Sequence, residues 1–322
     1  MVKPAGQWES RIGRRIRLRD LHILFAVIQC GSMAKAAAEL GMSQPSVSEA
    51  MADLEHATGV RLLDRSPQGV APTAYGQALS RRGKAAFDEL RQGVEEIEHL
   101  ADPAVGEIRI SCPETLTAGF LPAIIDQLSA RSPRITFHVV QENRASRFRE
   151  LRERNVDLAL ARLLEPLDAD DLASEVIFDD TVHIVAGAAH PLARRRKINL
   201  AELVDEPWIS IPSDDLLATL VVDAFRRSGL AAPKPTVVTF SQHVRYHLLA
   251  TGRFVTTLPA SVLRFNAAHF ALKVLPVELS HQPRPVALIR LKHRAPSPVA
   301  QRFAEAARQA AKSLGLADRR RR

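Results

Sequence analysis

Residues 31–55, GSMAKAAAELGMSQPSVSEAMADLE, constrain this chain most because they describe two short helices joined by a tight turn. Ser32 is a good N-cap for a first helix, which the apolar spacing places over Met33–Leu40. Gly41 follows at the point where a helix end needs a positive φ. Ser43 can then cap a second helix. The segment therefore predicts a helix-turn-helix.

The second of these helices has a polar side at its start. Pro45 falls in its first turn, where a missing amide proton costs nothing. Short or amide-bearing side chains surround it: Gln44, Ser46 and Ser48. Such groups reach base edges when a helix enters a major groove by its N-terminal end. Every surface helix has a polar face, so an ordinary helical hairpin is the alternative on this segment alone.

The stretch after Gly59 predicts a small hairpin. Residues 60–73, VRLLDRSPQGVAPT, indicate a short strand, a turn at 67–69 and a return strand. Arg61 and Arg65 flank the hairpin, and arginines beside a recognition helix suit phosphate contacts, which position a protein on DNA without reading its sequence. Simple solvation of either arginine is the alternative. The hairpin is best interpreted as a wing.

Residues 18–79 as a whole resemble the winged helix-turn-helix of the LysR-type transcriptional regulators. The residues that carry the resemblance are Leu21–Val27, Ala37, Gly41, Ser43, Gln44, Pro45, Val47, Leu54, Glu55, Gly59, Val60, Leu63, Arg65, Pro72, Thr73 and Gly76. Further along, AHPLA at 189–193, residues 200–208 and TLP at 257–259 resemble segments of the family's effector domain. The resemblance covers nearly everything except the two tails.

The resemblance implies a DNA-reading surface at particular positions. These are Ser32, Ser43, Gln44, Pro45, Ser46, Ser48, Glu49, Arg61 and Arg65. Many family members place a basic residue just after the serine that is Ser48 here, whereas this chain has Glu49, and Ala52 stands at another commonly basic position. A carboxylate is repelled by phosphates but can accept a hydrogen bond from cytosine N4. Glu49 therefore either alters specificity or points away from DNA.

Charge and composition agree with a globular protein that binds a polyanion. The chain has 322 residues, 46% of them hydrophobic, which is enough for two or three domains with cores of their own. Its net charge of +8 suits DNA, although basic clusters at 194–197 and 319–322 lie outside the helix-turn-helix. The N-terminal tail adds Arg11, Arg14, Arg15, Arg17 and Arg19. This arm either touches DNA or is solvated.

Cysteine usage and hydropathy indicate the compartment. Cys30 and Cys112 fall in different predicted domains, so no disulfide is expected. Cys30 is expected in a core, and Cys112 has no second cysteine that could resolve a redox reaction. The first thirty residues lack the apolar core of a signal peptide, and no run of about twenty apolar residues occurs. We expect a cytoplasmic, nucleoid-associated protein without a membrane segment.

Residues 73–100 form one long helical pattern. Apolar side chains fall on a seven-residue repeat, which predicts a dimer seam: Leu79, Ala86, Leu90, Ile97 and Leu100. Gly76, Gly83 and Gly93 lie in the same rows and indicate either a close approach of two backbones or a weak helix that depends on other domains. The resemblance favours pairing of two chains through this linker helix, as a homodimer or homotetramer.

After residues 101–106, which break the helix, strands and helices alternate. The predicted strands are 108–112, 136–140, 157–161, 181–186, 208–211, 236–240 and 254–258, with returns at 272–276 and 286–291. The predicted helices are 116–130, 148–154, 216–228 and 243–250. This alternation indicates parallel sheets covered by helices. Two such units predict a two-lobed binding domain, like those of periplasmic binding proteins, with a cleft between the lobes.

Ligands of such domains bind where strand C-termini and helix N-termini converge. The candidate effector-binding residues at these points are Ser111, Pro113, Glu114, Thr115, Arg162, Pro212, Ser213, Ser241 and Gln242. The helix predicted to start near Thr115 would attract an anionic or hydroxylated ligand. Glu114 places a like charge there, so a polyol, sugar derivative or amine-bearing compound fits as well. Arg162 either pairs with a ligand carboxylate or forms a salt bridge that closes the lobes.

Signals for catalysis and for metal binding are weak. His243 and His247 have the i, i+4 spacing of zinc ligands, but no third ligand follows at a sensible spacing. Residues 32–35, SMAK, match the S-x-x-K pattern of penicillin-binding enzymes without its companion motifs. No phosphate-binding loop, dinucleotide fingerprint, nucleophile elbow or H-E-x-x-H motif occurs. We expect no catalytic residue, metal or cofactor, only a small-molecule effector.

The sequence thus predicts an α/β protein with an N-terminal all-α winged helix-turn-helix, a long linker helix and a two-lobed α/β effector-binding domain. The predicted boundaries are 1–17 (basic tail), 18–74 (DNA-binding domain), 75–101 (linker), 107–173 with 269–315 (lobe I), 174–268 (lobe II) and 316–322 (basic tail). The expected partners are double-stranded promoter DNA, the effector, further copies of the chain and RNA polymerase. The rival interpretations are a transport-type binding protein and an enzyme with an added DNA module.

Overall fold

The computed structural model describes residues 15–141, 148–163, 166–212, 216–277, 279 and 283–316. The chain divides into two compact units, one ending at Val94 and the other beginning at Glu95. Most of both basic tails lies outside the described residues, and so does the candidate effector residue Ser213.

The first unit contains three short helices, a hairpin and the beginning of a long helix. These elements are α1 Leu18–Cys30, α2 Met33–Glu39, α3 Gln44–Thr58, β1 Leu63–Ser66, β2 Gly69–Pro72 and α4 Ala74–Ala101. Ser32 caps α2, and Ser43 caps α3 by accepting a hydrogen bond from the Ser46 amide at 3.2 Å. Gly41 has the predicted positive φ, +62°. The predicted helix-turn-helix, wing and linker helix are therefore confirmed.

One apolar core holds α1, α2 and α3 together, and it includes Leu24, Val27, Ala36, Val47, Met51 and Leu54. The wing is attached to this core from both ends. At its start, the Glu55 carboxylate accepts hydrogen bonds from the amides of Leu62 and Leu63, at 2.7 and 3.2 Å. At its tip, the Val70 amide donates to the Gly31 carbonyl oxygen at 2.8 Å. These contacts fix the wing beside α3.

Two of the three glycines of α4 allow the helix to pack closely on its own unit. A Cβ atom at Gly76 would overlap the Leu62 carbonyl oxygen, and one at Gly83 would lie 2.8 Å from Cζ of Phe25. A Cβ atom at Gly93 would lie more than 4 Å from every other atom of the described residues outside its own helix backbone. The sequence suggested that these glycines allow a close approach between two chains. At Gly76 and Gly83, the close approach instead occurs within one chain.

The second unit has two five-stranded sheets, each forming one lobe. Lobe I has the strand order β4-β3-β5-β12-β6, with β3 Val105–Cys112, β4 Arg134–Gln141, β5 Leu158–Arg162, β6 Leu172–Asp180 and β12 Arg284–Leu291. Lobe II has the order β11-β7-β10-β8-β9, with β7 Val182–Gly187, β8 Trp208–Ser210, β9 Pro235–Val238, β10 Val255–Pro259 and β11 Leu272–Val274.

Helices cover both sheets. They are α5 Glu114–Thr117, α6 Phe120–Arg131, α7 Arg149–Arg152, α8 Leu216–Arg227, α9 Gln242–Ala250, α10 Ala260–Asn266 and α11 Pro298–Ser313, with short 3₁₀ helices at Pro191–Arg194 and Leu200–Leu203. The main core of lobe I lies between the sheet, α6 and α11, and includes Ile108, Ile110, Phe120, Leu160 and Phe303. Two apolar clusters fill lobe II, around Trp208 with Phe225 and around Tyr246 with Leu258.

The structure corrects the parallel-sheet prediction. The pairs β3–β4, β3–β5, β8–β9 and β8–β10 are parallel, whereas β12 is antiparallel to β5 and β6, and β7 is antiparallel to β10 and β11. The antiparallel pairs arise where the chain crosses from lobe I to lobe II through β6 and β7 and returns through β11 and β12. Both sheets are therefore mixed.

Three further boundaries differ from expectation. The strand β6 was not predicted; it extends lobe I to Asp180, past the expected boundary at 173, and β11 extends lobe II past 268. The helix predicted over 116–130 is two helices, α5 and α6, separated at Gly119. A Cβ at Gly119 would lie 3.0 Å from the Ser261 carbonyl oxygen, so the break allows close contact with lobe II.

Among the described residues, no single helix has the length and apolar character of a membrane span. The bent pair α1 and α2 meets those two criteria jointly, and its apolar side chains contribute to the core of the first unit.

Candidate functional site

The N-terminal end of α3 presents a small polar surface on the first unit. Gln44 and Pro45 are exposed there, and the Gln44 side chain makes no hydrogen bond within the described part of the chain. Ser43 and Ser46 contact each other through their hydroxyl oxygens at 2.8 Å. Ser48 is half-buried. Gln44 is therefore a candidate DNA-reading side chain that is free to contact a base.

Two further predicted DNA-reading residues belong to the helix-turn-helix. Ser32 has a structural role, whereas Glu49 is exposed. The Ser32 hydroxyl accepts a long hydrogen bond of 3.5 Å from the Lys35 amide and so caps α2. Glu49 is exposed one turn after the start of α3, and its side chain is not withdrawn into the core. Its carboxylate is available to a base or to solvent.

Both wing arginines are exposed, with Arg65 on β1 opposite Val70 and Arg61 just before the strand. The backbone of Arg61 is held in place because its carbonyl oxygen accepts a hydrogen bond from the Thr73 hydroxyl at 2.8 Å. The sequence did not assign this role to Thr73, or the wing-holding role to Glu55, although both residues belong to the resembling pattern. Rigid attachment of the wing gives its arginines a defined position relative to α3.

Glu114 and Gln242 contact each other across the two lobes of the second unit. Glu114 Oε1, at the start of α5 in lobe I, accepts a hydrogen bond of 2.6 Å from the Gln242 amide at the start of α9 in lobe II. Nearby, Asn266 Nδ2 of lobe II donates to the Ala118 carbonyl oxygen at 2.6 Å. Four of the predicted effector-binding residues, Glu114, Thr115, Ser241 and Gln242, thus lie along one interlobe boundary.

Arg162 has a protein partner. Its Nη2 donates to Asp180 at 2.6 Å, its Nη1 donates to the Thr115 hydroxyl oxygen at 3.1 Å, and it is buried. Asp180 in turn accepts hydrogen bonds from the amide and hydroxyl of Ser261 in lobe II. Arg162 thus forms a salt bridge within lobe I, which the hydrogen bonds between Asp180 and Ser261 connect to lobe II, and Thr115 is a further hydrogen-bond partner in that network.

A second buried polar group, which sequence reasoning missed, lies on the inner face of α9. Arg245 donates to the Thr256 hydroxyl oxygen at 2.6 Å and to the Thr257 carbonyl oxygen, and burial lowers its pKa to about 10. Tyr246 stacks on Phe270, and burial raises its pKa to about 12. Gln242, Arg245 and Tyr246 have the i, i+3, i+4 spacing of residues on one helix face. This spacing was the signal in the sequence that could have indicated a buried polar face.

The remaining predicted residues lie in less open positions. Ser111 is buried at the end of β3, Pro113 precedes α5, and Pro212 is half-buried after β8. Ser241 caps α9 by accepting a hydrogen bond from the Val244 amide at 3.4 Å.

The two histidines of α9 and the two cysteines have separate surroundings. His243 and His247 are exposed, and the described residues contain no group of three side chains suited to hold a metal ion. Cys30 donates to the Glu39 carboxylate at 2.9 Å, a hydrogen bond that raises the pKa of the thiol. Cys112 is buried in the core of lobe I.

Comparison with known proteins extends over both units. The model of the bacterial regulatory helix-turn-helix protein, lysR family, matches residues 18–77, and that of the LysR substrate binding domain matches residues 101–312. The HTH-type transcriptional regulator GbpR of Azospirillum brasilense is 27% identical, over 92% of this chain and 87% of GbpR. The transcriptional dual regulator GltC of Bacillus subtilis is 26% identical, over 90% of this chain and 96% of GltC.

Solved structures share the fold. A full-length OxyR variant from Pseudomonas aeruginosa gives a TM-score of 0.65 at 21% identity, covering 94% of this chain and 96% of that one. Full-length CbnR in complex with its target DNA gives 0.64 at 21% identity, covering 92% and 100%. Since the substrate-binding model alone spans more than half of the chain, this protein belongs to the LysR family and is a DNA-binding transcriptional regulator with an effector-binding domain.

Proposed function

We propose that this regulator reads its promoter through the N-terminal end of α3 and that a small molecule bound between lobes I and II changes its transcriptional output. The observation that carries the DNA part is the exposed Gln44 side chain, which has no partner within the described part of the chain. An amide presents a donor and an acceptor together, which matches the N6 and N7 edge of adenine.

The wing supplies the contacts that do not depend on sequence. Arg65 and Arg61 are exposed on a hairpin whose backbone is tied to α3 through Glu55 and to α1 through Gly31. Positive side chains on a rigid support bind phosphates and hold the protein in register on the duplex. The Glu49 carboxylate repels phosphates at its own position, and it can accept a hydrogen bond from a base that presents an amino group in the major groove.

The effector part rests on the interlobe boundary. Hydrogen bonds between Glu114 and Gln242, between Asn266 and Ala118 and between Ser261 and Asp180 join the lobes through polar groups rather than through one continuous apolar core. A ligand that replaces such bonds changes the relative free energies of two lobe arrangements. That difference is what an allosteric signal requires.

Pairing of chains through the second half of α4 completes the proposal. Apolar side chains at helical spacing are exposed there, with 52–76% of their surface accessible: Leu90, Val94, Ile97 and Leu100. Covering such a row in a second copy removes apolar surface from water. We propose a homodimer, or a homotetramer built from it, that meets RNA polymerase at a promoter in the nucleoid of the cytoplasm.

Catalysis is not part of this proposal, because the curated relatives are transcriptional regulators. The decisive experiment selects genomic fragments on the purified full-length protein and then screens small molecules for a change in retention of the selected fragment. Sequence-specific retention that a compound alters, without consumption of that compound, supports the proposal. Compound binding without any preference among DNA fragments would instead indicate a transport-type binding protein.

A further inference from the structure

The start of α9 contains a position that resembles an occupied anion site. Helix α9 is nine residues long, and its first amide, that of Gln242, would be unpaired by the helix itself. Free amides and the helix dipole make such an end attractive to anions. In this protein the Glu114 carboxylate fills the position, with Oε1 at 2.6 Å from the Gln242 nitrogen.

An independent observation marks this position as more than a structural cap. Gln242 is only 3% exposed, and its side-chain Oε1 has no hydrogen-bond partner within the described part of the chain. The same holds for the Tyr246 hydroxyl and for Nε of Arg245 on the same buried face of α9. Buried polar atoms without partners are costly unless a ligand or water completes them.

The charges around Glu114 decide which ligands are compatible. Arg162 is paired with Asp180, and Arg245 is turned toward Thr256 and the Thr257 carbonyl oxygen. Among the described residues, Glu114 forms no salt bridge, and Arg245 attracts its carboxylate only from beyond salt-bridge distance. A free oxyanion would have to displace that carboxylate or lie beside a like charge, whereas a ligand with N–H or O–H groups can donate to it.

We infer that Glu114 is a specificity-determining residue of the effector site: it occupies the anion position at the N-terminus of α9, excludes free oxyanions and presents its carboxylate to effectors that carry amine or hydroxyl donors. This inference rests on the proposed use of the interlobe boundary as the effector site. It specifies the chemical class of effector.

The test measures binding of inorganic sulfate to the full-length protein by thermal shift and calorimetry at constant ionic strength. We expect no saturable sulfate binding by the native protein. Glu114→Gln and Glu114→Ala should acquire a saturable site, at least about tenfold tighter than any residual native binding. The matched control is Glu305→Gln, which removes the same charge from an exposed position of α11 and should behave like the native protein.

A second substitution assigns the new site to the α9 amide. Gln242→Pro removes that N–H at the first position of the helix, where proline is tolerated, and the extended backbone of Ser241 suits a following proline. The double variant Glu114→Gln/Gln242→Pro should lose the acquired sulfate site. Sulfate binding by the native protein that Gln242→Pro abolishes, or absence of a new site in both Glu114 variants, overturns the inference. Promoter retention does not enter this measurement, so failure of the proposed DNA function would be seen separately.

Discussion

The Arg162 guanidinium donates a 2.6 Å hydrogen bond to Asp180 at a point where both residues are buried, with 6% and 1% of their surface exposed. Asp180 also accepts hydrogen bonds from the amide and hydroxyl of Ser261, at 3.1 and 2.6 Å. Arg162 and Asp180 both end strands of lobe I, so the ion pair lies within lobe I, and the two hydrogen bonds from Ser261 at the start of α10 connect it to lobe II.

Asp180→Asn should destabilise the effector-binding unit by about 3 to 5 kcal/mol, because it removes the carboxylate that forms the buried ion pair with Arg162. The control is Asp171→Asn in the same lobe, whose pairing with Arg152 is exposed and contributes only about 0 to 1 kcal/mol. Urea unfolding followed by circular dichroism measures both losses. Equal destabilisation by the two substitutions would show that the buried pair has no special weight.

Gly76→Ala should destabilise the DNA-binding unit by about 1 to 3 kcal/mol, because a Cβ there meets the Leu62 backbone oxygen, which cannot move independently of the wing. Gly93→Ala is the matched control on the same helix. A Cβ there would meet no atom of the described residues within 4 Å, so alanine should stabilise the helix by about 1 kcal/mol. Thermal unfolding compares the two, and a stabilised Gly76→Ala variant would contradict the close packing of α4 on Leu62.

Gln44→Ala should reduce the discrimination between a selected promoter fragment and random DNA by about 1 to 3 kcal/mol, the scale of one bidentate base contact. Affinity for random DNA should stay unchanged, because the amide contributes little to phosphate binding. Gln77→Ala, which removes an exposed glutamine from α4, is the control and should leave both affinities unaltered. Fluorescence anisotropy measures them. Equal weakening on both DNAs would remove Gln44 from base recognition.

Arg65→Ala should show the opposite pattern and weaken binding to all sequences. Loss of one phosphate contact should make the slope of log affinity against log salt shallower by about one unit. Arg264→Ala changes the net charge equally at an exposed position of α10 and should leave the slope unchanged. Titrations at several salt concentrations decide the matter, and a slope that does not change in Arg65→Ala excludes this arginine from the phosphate contacts.

Ile97→Asp should weaken chain pairing by about tenfold or more, because it places a charge in the exposed apolar row of α4. Ile97→Leu retains apolar surface at the same position and serves as the control. Sedimentation velocity over a concentration series measures the association constant. If Ile97→Asp associates like the native chain, the row does not form the dimer seam.

Local signals in the sequence determined the helix-turn-helix, the wing and most strands. Ser32, Gly41 and Ser43 specify helix ends through hydrogen bonds and dihedral angles that involve only near neighbours, so their positions could be predicted without knowledge of the rest of the chain. The seven-residue repeat of α4 is also local, and it located the helix correctly.

Only the tertiary structure decided which distant groups meet. Arg162 had two open roles in the sequence, and the choice depended on Asp180 at the end of a strand that the pattern did not reveal. The contact between Glu114 and Gln242 likewise joins residues far apart in sequence. Gly76 and Gly83 are required because α4 packs closely on Leu62 and Phe25, which the sequence did not show. Side-chain pairing across lobes and backbone approach between elements leave no periodic trace in a sequence, because neither repeats at the spacing of a helix or a strand.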